Sequence, residues 1–365
     1  MGSSATAAPG ADLRPRFAGF GIAPKSQHPR GTCSVFAVTA LLEYELAQAQ
    51  GAGPPLSEEV VNWASHQASG RDTDGSFFSD AFDGLQLHGA CTAKLLPYAK
   101  EFDVHLKPSA EALADAATRR AVTSYWIKCW DVNTGMTEAM LARIRQSLDQ
   151  GHPVALGMRW PNEERYSDQH VLDLPPADKV FDGHSVVLVG YRADDKLPGG
   201  GAFCFRNHSG DKWQEGGYAW LSYGYLAAYG NDAVGLRLAL PSGAPDGPTL
   251  DLADLPVISR RGQDGGADAV TRLRLTAPEA DLYELSIWGT RAPDAGLARI
   301  EVDKLVLQAG LDLYAPAAEA TGRIVLGVMP LVAGDNTLVI RCRGKNEASG
   351  GYRLPLDKLA IRRMP

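Results

Sequence analysis

The sequence lacks two features that would assign the protein to a membrane or to a nucleic acid. It contains no apolar run of the roughly 18 residues that a membrane-spanning helix needs. It also contains no cluster of lysine and arginine, and its 365 residues carry a formal net charge of −7. An acidic chain without a basic patch has little electrostatic attraction for a phosphate backbone. We therefore expect neither a membrane span nor a nucleic-acid partner.

Cysteine is also scarce, and its five copies are far apart. No Cys-x-x-Cys motif occurs, and the only close pair of potential metal ligands is His88 with Cys91. A structural zinc site needs about four such ligands, so we expect no metal and no cofactor. An odd number of scattered cysteines argues against a disulfide framework, and residues 1–16 carry no apolar signal segment. These absences predict a cytoplasmic protein, with export by another route left open.

The apolar residues that are present change their spacing along the chain. Within residues 25–240 they first recur as in amphipathic helices and then, from Gly151, form short strand-like runs, which predicts an α+β domain with a helical lobe and a sheet lobe. Residues 1–24 read as an N-terminal arm, and residues 241–257, with four prolines, as a linker. Residues 258–365 carry strand signals only, which predicts an all-β sandwich or jelly roll.

The individual elements follow from the same pattern. Helices are expected at 34–50, 57–68, 77–87, 109–121 and 137–150. Strands of the first domain are expected at 153–158, 184–191, 202–207 and 217–221. Strands of the second domain are expected at 270–275, 282–288, 299–307, 322–328, 337–343 and 356–362.

One cysteine stands where a long buried helix is expected to begin. Cys33 directly precedes the apolar segment 34–50, with Thr32 as the expected cap and Gly51 just past the helix end. The positive end of the helix dipole favours a negative charge at this position, so it favours thiolate over thiol. Thiolate is the nucleophilic form of cysteine.

Three polar residues complete a possible catalytic set around Cys33. His184 begins the most apolar strand, and Asn207 ends the next one, so an antiparallel pairing brings the two side chains together. A carboxamide oxygen there can orient an imidazole that takes the thiol proton. Gln27 lies six residues before Cys33, and its side-chain amide can reach back to the helix start.

Five motifs, in order, resemble those of papain-like cysteine peptidases of the bacterial type. They are Gln27 with GTCSVFA at 31–37, LSEE at 56–59, GAC at 89–91, GHSVVLVGY at 183–191, and RN at 206–207 followed by Gly210, Trp213 and Gly217. The resemblance covers about residues 17–225 and implies a two-lobe papain fold and a polypeptide substrate. It also implies that Cys33 is the nucleophile, His184 the acid/base, Asn207 its orienting group, and Gln27 part of the oxyanion hole.

The resemblance extends to a set of substrate-binding residues. Asp74, Gly75 and Ser76 fall where the family has a glycine pair that binds the substrate backbone, with Gly75 as the expected contact by edge-strand pairing. Gly183, beside His184, belongs to the same expected set. Asp72 and Asp74 are most simply explained as residues of a polar loop, although the pair would also favour a basic substrate side chain.

The chain departs from the family pattern in four ways. Arg30 and Gly31 stand where the family often has the first cysteine of a disulfide, and Ser34 replaces an aromatic residue after the nucleophile. His208 and Ser209 replace a Ser-Trp pair, so we expect the indole cover over the asparagine to be missing, that contact to be wetter, and His208 to be a solvated loop residue. The 32 residues before Cys33 are too few for the usual inhibitory propeptide, so restraint by the C-terminal domain is one expectation.

The C-terminal strands resemble galactose-binding-like jelly rolls, through VDK at 302–304, GDNTL at 334–338 and LDKL at 356–359. This resemblance leaves a glycan or a protein as the ligand of that domain, with a targeting or regulatory role. Two alternatives to peptide hydrolysis also remain open. One is a catalytically degenerate papain fold that serves as a binding module, and the other is an acyltransferase or transpeptidase on the same residues.

Overall fold

The computed structural model describes residues 10–120, 122–238, 249–262 and 266–364. Seven α-helices occur in these ranges: α1 Arg14–Gly19, α2 Cys33–Gln50, α3 Glu58–Ser69, α4 Phe78–His88, α5 Ala110–Ala117, α6 Glu138–Asp149 and α7 Tyr223–Tyr229. Two short 3₁₀ turns, Ala177–Lys179 and Leu252–Asp254, accompany them. In this described part of the chain, no helix is both long and apolar enough to span a membrane.

Strands occupy the second half of the first domain and all of the C-terminal region. They are β1 Val122–Lys128, β2 Val154–Pro161, β3 Val171–Leu172, β4 Val180–Ala193, β5 Gly201–Arg206, β6 Tyr218–Ser222, β7 Gly230–Leu238, β8 Leu250–Asp251, β9 Val257–Arg261, β10 Val270–Ala277, β11 Asp281–Arg291, β12 Gly296–Val302, β13 Leu305–Asp312, β14 Glu319–Ala320, β15 Ile324–Leu331, β16 Gly334–Lys345 and β17 Leu356–Arg363.

The first domain is an α+β unit in which one helix packs against a sheet. Its strands lie in the order β3-β6-β5-β4-β2-β7-β1, and α2 lies against β4, β7 and β2. Thirteen of the eighteen residues of α2 are buried, among them Glu43 and Glu45. A helix that is buried nearly all round holds its first residue, Cys33, in a fixed position relative to the strands.

The C-terminal region is a β-sandwich whose one sheet continues the sheet of the first domain. The free-standing sheet has the order β13-β12-β16-β10-β9, and the other has β15-β11-β17-β8, with β14 paired to β11. β15 pairs in parallel with β1, through Ser124 with Gly327 and Tyr125 with Val328. The two domains therefore share main-chain hydrogen bonding as well as side-chain packing.

Polar contacts hold the sandwich against the helical lobe. The Gln86 side chain of α4 donates to the carbonyl of Leu307 at 2.9 Å and accepts from the N–H of Ala309 at 2.8 Å. Arg299 of β12 forms an ion pair with the buried Asp83 of α4 at 3.0 Å. Because α4 also contributes to the cleft, as described below, the sandwich braces a wall of the site.

Most predicted elements of the first domain are present, and some were missed. Helices α2, α3, α4 and α6 match the predicted ranges to within one residue at each end. The expected cap of α3 is confirmed, since the hydroxyl of Ser57 accepts from the N–H of Val60 at 3.1 Å. Strands β1 and β7 and helix α7 were not predicted.

The second domain contains one clear error of prediction. The range 299–307 forms two strands, β12 and β13, joined by a tight turn at Asp303 and Lys304, whose φ angles are 48° and 75°. Such turns usually contain asparagine or glycine, and neither residue marks a turn between positions 299 and 307. Residues 241–248 of the predicted linker lie outside the described residues. The remainder of the linker contains β8, and β9 begins at its last residue, Val257.

Candidate active site

Cys33 is the first residue of α2 and is half-buried. Thr32 occupies the N-cap position, but the prediction that its hydroxyl caps the helix is wrong. That hydroxyl hydrogen-bonds the Tyr98 hydroxyl at 2.7 Å instead. The first N–H groups of a helix have no partner within the helix, so without a side-chain cap the end beside the Cys33 sulfur keeps its attraction for negative charge.

His184 and Asn207 lie together at the ends of β4 and β5. The Nε2 atom of His184 is 2.8 Å from the Oδ1 atom of Asn207, and the backbone N–H of His208 also donates to that oxygen at 2.8 Å. A backbone N–H can only donate, which identifies the atom it meets as the amide oxygen. His184 therefore carries a proton on Nε2, and its Nδ1 is the nitrogen left for the thiol.

The pKa values of the pair move in opposite directions. Burial raises the pKa of the Cys33 thiol, but the hydrogen bond and positive charge of His184, with contacts from Ser185, outweigh it and leave the pKa below its ordinary value. Burial lowers the pKa of His184, but the hydrogen bond and charge of Cys33, together with Asn207, leave it raised. Both shifts favour a thiolate next to an imidazolium.

An indole packs against the His184 ring, and Asn207 is buried, contrary to our expectation of a wetter contact. The ring of Trp160, at the end of β2, lies 4.5 Å from the His184 ring, centroid to centroid. Its Nε1 donates to Glu164 at 3.0 Å, and Asn207 is only 3% exposed. Trp160 thus packs against His184, and it comes from β2 rather than from the position after Asn207 where the family has its tryptophan.

His208 is buried rather than solvated, so that prediction is also wrong. It is 2% exposed and its ring lies 5.6 Å from that of Phe36 on α2. Burial, and next the charge of His184, hold the pKa of His208 well below its ordinary value, so the ring is neutral. Its carbonyl accepts from the backbone N–H of Gln27 at 2.9 Å, which ties the strand end to the loop before Cys33.

Gln27 lies in the turn that precedes α2. Its side-chain Nε2 donates to the carbonyl of Arg30 at 2.7 Å, and its own carbonyl accepts from the Tyr98 hydroxyl at 2.9 Å. A carboxamide NH₂ has two hydrogens, so one remains for another acceptor. Gln27 lines a shallow groove together with His184, Asn207 and Trp160.

Arg30 occupies the position where we noted a missing disulfide, and it forms a buried ion-pair network. Its guanidinium donates to Glu59 at 2.7 and 3.1 Å and to Asp74 at 2.9 and 2.9 Å. It also donates to the carbonyl of Ala99 at 2.8 Å and lies 4.5 Å from the Tyr98 ring centroid. The network joins the turn before Cys33 to α3 and to the loop that carries Gly75.

The expected substrate-binding residues line one cavity with the nucleophile. A cleft of about 250 Å³ is bordered by Cys33, His184 and the four predicted residues Asp74, Gly75, Ser76 and Gly183. All the residues around it lie between positions 31 and 232, so the β-sandwich does not cover the thiol. This weighs against restraint of activity by that domain.

The four residues differ in what they have to offer a substrate. Both oxygens of Asp74 are taken by Arg30, so we no longer count it as a substrate contact. The N–H of Gly75 donates to Asn62 at 3.2 Å and its carbonyl lies 3.2 Å from the His66 ring, so both of its backbone groups have internal partners. The carbonyl of the neighbouring Ser76 likewise accepts from the Ser34 hydroxyl, so the backbone contact with substrate that we predicted for this loop stays a prediction.

Gly75 has a steric role instead. Its φ is +81°, and a Cβ atom there would lie 2.0 Å from the carbonyl oxygen of Gly31. Only glycine permits this contact between the cleft loop and the turn before Cys33.

Sequence reasoning missed three residues at the site. Trp160 was one aromatic residue among many, Arg30 was noted only for the cysteine that it replaces, and Asp232 fell in an unpredicted strand. Asp232 is buried at the floor of the cleft, where burial raises its pKa to about 7 against the opposing influence of Lys128. Within the described ranges, no group of three or more histidine, cysteine, aspartate or glutamate side chains is arranged to hold a metal.

The geometry agrees with comparisons to known proteins. Residues 12–233 match the family model of the papain family cysteine protease, and the chain belongs to that family. A search of curated proteins found no match.

Solved structures align with the chain at low identity. A clostridial cysteine protease, Cwp84, in a form after propeptide cleavage, aligns with 14% identity over 97% of this chain and 88% of its own, with a TM-score of 0.50. The cysteine protease and lectin-like domains of Cwp84, a surface layer associated protein of Clostridium difficile, align with 15% identity over 97% and 80%, with a TM-score of 0.49. Digestive procathepsin L 3 of Tenebrio molitor aligns with 22% identity over 65% and 72%, with a TM-score of 0.47.

Proposed function

We propose that the protein is a peptidase that hydrolyses peptide bonds with Cys33 as nucleophile, His184 as acid/base and Asn207 as the group that orients His184. The observation that carries the proposal is the 2.8 Å contact between His184 Nε2 and Asn207, which leaves Nδ1 for the sulfur. The opposite pKa shifts of Cys33 and His184 support the same roles. Membership of the papain family supports a polypeptide substrate.

In the acylation step, the Cys33 thiolate attacks the carbonyl carbon of the scissile bond, and a sulfur–carbon bond forms. The negative charge that develops on the carbonyl oxygen is stabilised by the Cys33 N–H and the second hydrogen of Gln27 Nε2. As the carbon–nitrogen bond breaks, His184 gives its Nδ1 proton to the leaving amine. The amine product departs with that proton, and His184 is left neutral.

Deacylation reverses these roles. Neutral His184 takes a proton from water, and the resulting hydroxide attacks the thioester carbon. The sulfur–carbon bond breaks, which releases the acid and restores the thiolate beside the imidazolium. Throughout, Asn207 and Trp160 keep the ring in one orientation, and no metal or cofactor enters any step.

The intact catalytic set favours hydrolysis over a degenerate binding module. An acyltransferase or transpeptidase would use the same first step and differ only in the acceptor of the acyl group. Product analysis with and without an added amine separates it from a hydrolase.

The test of the proposal is the variant Cys33→Ala, with His105→Ala as a control, because His105 is exposed and does not line the cleft. We expect Cys33→Ala to abolish cleavage of peptide libraries. Its unfolding midpoint should stay close to that of the wild-type protein. A thiol-directed inhibitor should label Cys33 at neutral pH far faster than Cys129, the other partly exposed thiol, because burial raises the pKa of Cys129 to about 11. Cleavage by Cys33→Ala, or equal labelling of the two thiols, would contradict the assignment.

For the β-sandwich we propose a bracing role, supported by its main-chain pairing with β1 and its ion pair to α4. Binding of a glycan or a protein by this domain stays a prediction. Trp288, an aromatic residue of the kind that stacks on sugars, is half-buried in β11, opposite Lys358. Disrupting the Arg299–Asp83 pair should lower the stability of the catalytic domain, as unfolding followed by Cys33 labelling would report.

A further inference from the structure

A large cavity lies between the two domains, away from the catalytic cleft. Its volume is about 810 Å³, which is within the range of cavities that enclose small organic ligands. Strands β1 and β7 of the first domain line one side of it, and β11, β13 and β15 of the sandwich line the other. It shares no lining residue with the cleft that contains Cys33. A ligand here would therefore contact both domains without entering the cleft.

The cavity lies where the main-chain pairing between the domains ends. β1 and β15 pair in parallel only through Ser124 with Gly327 and Tyr125 with Val328. Residues 122–123, which begin β1, line the cavity and have no partner on β15 in the described part of the chain. The shared sheet therefore opens at this point, and the space between its two strands is available to a ligand.

Guanidinium groups from both domains line this opening. Arg120 and Arg237 come from the first domain, and Arg291 and Arg323 come from the sandwich. Among the described lining residues, Glu284 alone carries a carboxylate. The chain as a whole has a net charge of −7, so four cations beside one acid form a local positive field on an acidic protein.

The one carboxylate in the cavity is already shared between two cations. Glu284 forms an ion pair with Arg323, and a second one with Arg362 at 3.1 Å. It therefore leaves the positive charges of the other lining arginines without compensation.

Arg237 is held in the cavity wall mainly by neutral groups. Its guanidinium donates to the carbonyl of Leu236 at 2.9 Å and to the hydroxyl of Ser147 at 3.3 Å, and it lies 5.2 Å from the Tyr125 ring centroid. A carboxylate oxygen of Glu45 is 3.9 Å away. Burial lowers the pKa of Arg237, and the charge of Glu45 opposes this only in part. A guanidinium has five N–H donors, so donors remain for an anion.

Arg120 and Arg291 are still less compensated. The Nε atom of Arg120 donates to the carbonyl of Ala117 at 3.3 Å, and Arg120 forms no ion pair with any residue that the structure describes. Arg291 lies 3.8 Å from Glu319, and both side chains of that pair are partly exposed, so the contact contributes little. Both guanidinium groups are therefore able to exchange water for an anionic ligand.

We infer that this interdomain cavity binds a small organic anion, carrying carboxylate or phosphate groups, that bridges Arg120 and Arg237 of the first domain and Arg291 of the sandwich. The guanidinium fork matches either kind of anion with two parallel hydrogen bonds. Tyr125, Leu311 and Ile324 supply apolar surface for the carbon frame. The inference is independent of the proposed peptidase function, because no residue of the cleft takes part.

The test is isothermal titration calorimetry of the full chain at constant ionic strength, with citrate as the carboxylate probe and fructose 1,6-bisphosphate as the phosphate probe. We expect saturable binding of one of the two probes, which identifies the anionic group, and a rise of the unfolding midpoint on binding. Cys33→Ala should bind that probe as the wild type does, because the cleft is not involved.

The variants Arg120→Gln and Arg291→Gln remove one cation from each domain, and each should weaken binding about 5- to 10-fold. Arg120→Lys and Arg291→Lys, which keep the charge and lose the fork, should weaken it less. The matched control is Arg260→Gln, since Arg260 is an exposed arginine of the same sandwich that does not line the cavity, and its binding should be unchanged. The unfolding midpoint of each variant without a probe shows that it is folded.

Three results would overturn the inference. Neither probe binds saturably, or Arg260→Gln weakens binding as much as the two cavity variants, which would show only a general attraction of anions to positive charge. The third is weakening by only one of the two cavity variants, which would exclude a ligand that bridges the domains. Loss of peptide cleavage or of Cys33 labelling bears on the proposed function alone and leaves this binding unaffected.

Discussion

The buried network of Arg30 permits a sharp test of what holds the catalytic turn in place. Arg30 and Glu59 side chains are 4% and 3% exposed, so neither charge can be solvated if the other is removed. We therefore consider the substitution Arg30→Met, which keeps most of the side-chain volume and removes the guanidinium. It leaves the carboxylates of Glu59 and Asp74 without their cation.

Removing one partner of a buried ion pair typically costs about 3–5 kcal/mol. The matched control is Arg165→Met, because Arg165 and Glu163 form a surface pair at 3.0 Å with side chains 73% and 77% exposed. Such pairs contribute about 0–1 kcal/mol. Urea unfolding followed by fluorescence should therefore show a large loss of unfolding free energy for Arg30→Met and almost none for Arg165→Met.

A rescue variant separates loss of charge pairing from loss of packing. Combining Arg30→Met with Glu59→Gln and Asp74→Asn removes the stranded charges, and most of the lost stability should return. Because Gln27 donates to the Arg30 carbonyl, kcat/KM should also fall in the single variant under conditions where it is folded. The reasoning is refuted if the single variant loses less than about 1 kcal/mol, or if the triple variant is no more stable than the single one.

Three further predictions concern the catalytic set. The dependence of kcat/KM on pH should be bell-shaped. Activity should appear as pH rises through the pKa of Cys33, which is lowered below 9.0, and should be lost as pH rises through the pKa of His184, which is raised above 6.5. A single rise in kcat/KM centred near pH 9 would contradict the ion pair. Asn207→Ala should lower kcat about 10- to 100-fold with little change in KM, which steady-state kinetics would measure, and unchanged kcat would exclude an orienting role. Gly75→Ala should lower the free energy of unfolding, measured in urea, by about 1–3 kcal/mol, and Gly70→Ala should lower it less. Both glycines have positive φ, but of the two only Gly75 has a carbonyl within 4 Å of the added Cβ. Equal losses would argue against the steric account.

The sequence was most informative where one physical requirement dominates. Helix α2 was predicted almost to the residue because its apolar positions recur without interruption and Gly51 takes a left-handed conformation at its end. The convergence of His184 and Asn207 followed from antiparallel pairing of two strongly apolar strands, and β4 and β5 pair in that way.

The sequence was least informative where tertiary contacts override local pattern. Strand β1 contains Lys128, which looks exposed in the sequence but is buried because backbone carbonyls surround its amine. The indole that shields His184 comes from Trp160 on β2, and no local pattern tells a covering tryptophan from a core one. The turn at Asp303 and Lys304 lacks the glycine or asparagine that would have marked it.

The Arg30 network also bears on how the enzyme responds to its chemical surroundings. All five cysteines are unpaired. The turn before Cys33, where the family often has a disulfide, is held instead by the ion pairs of Arg30. A cysteine nucleophile works only in its reduced form, whereas a structural disulfide must stay oxidised. A fold that depends on both therefore needs opposite redox conditions at the same time. Under the proposed mechanism, reducing agents that protect Cys33 would break no bond that holds the cleft, and oxidants would inactivate Cys33 without breaking the ion pairs of Arg30.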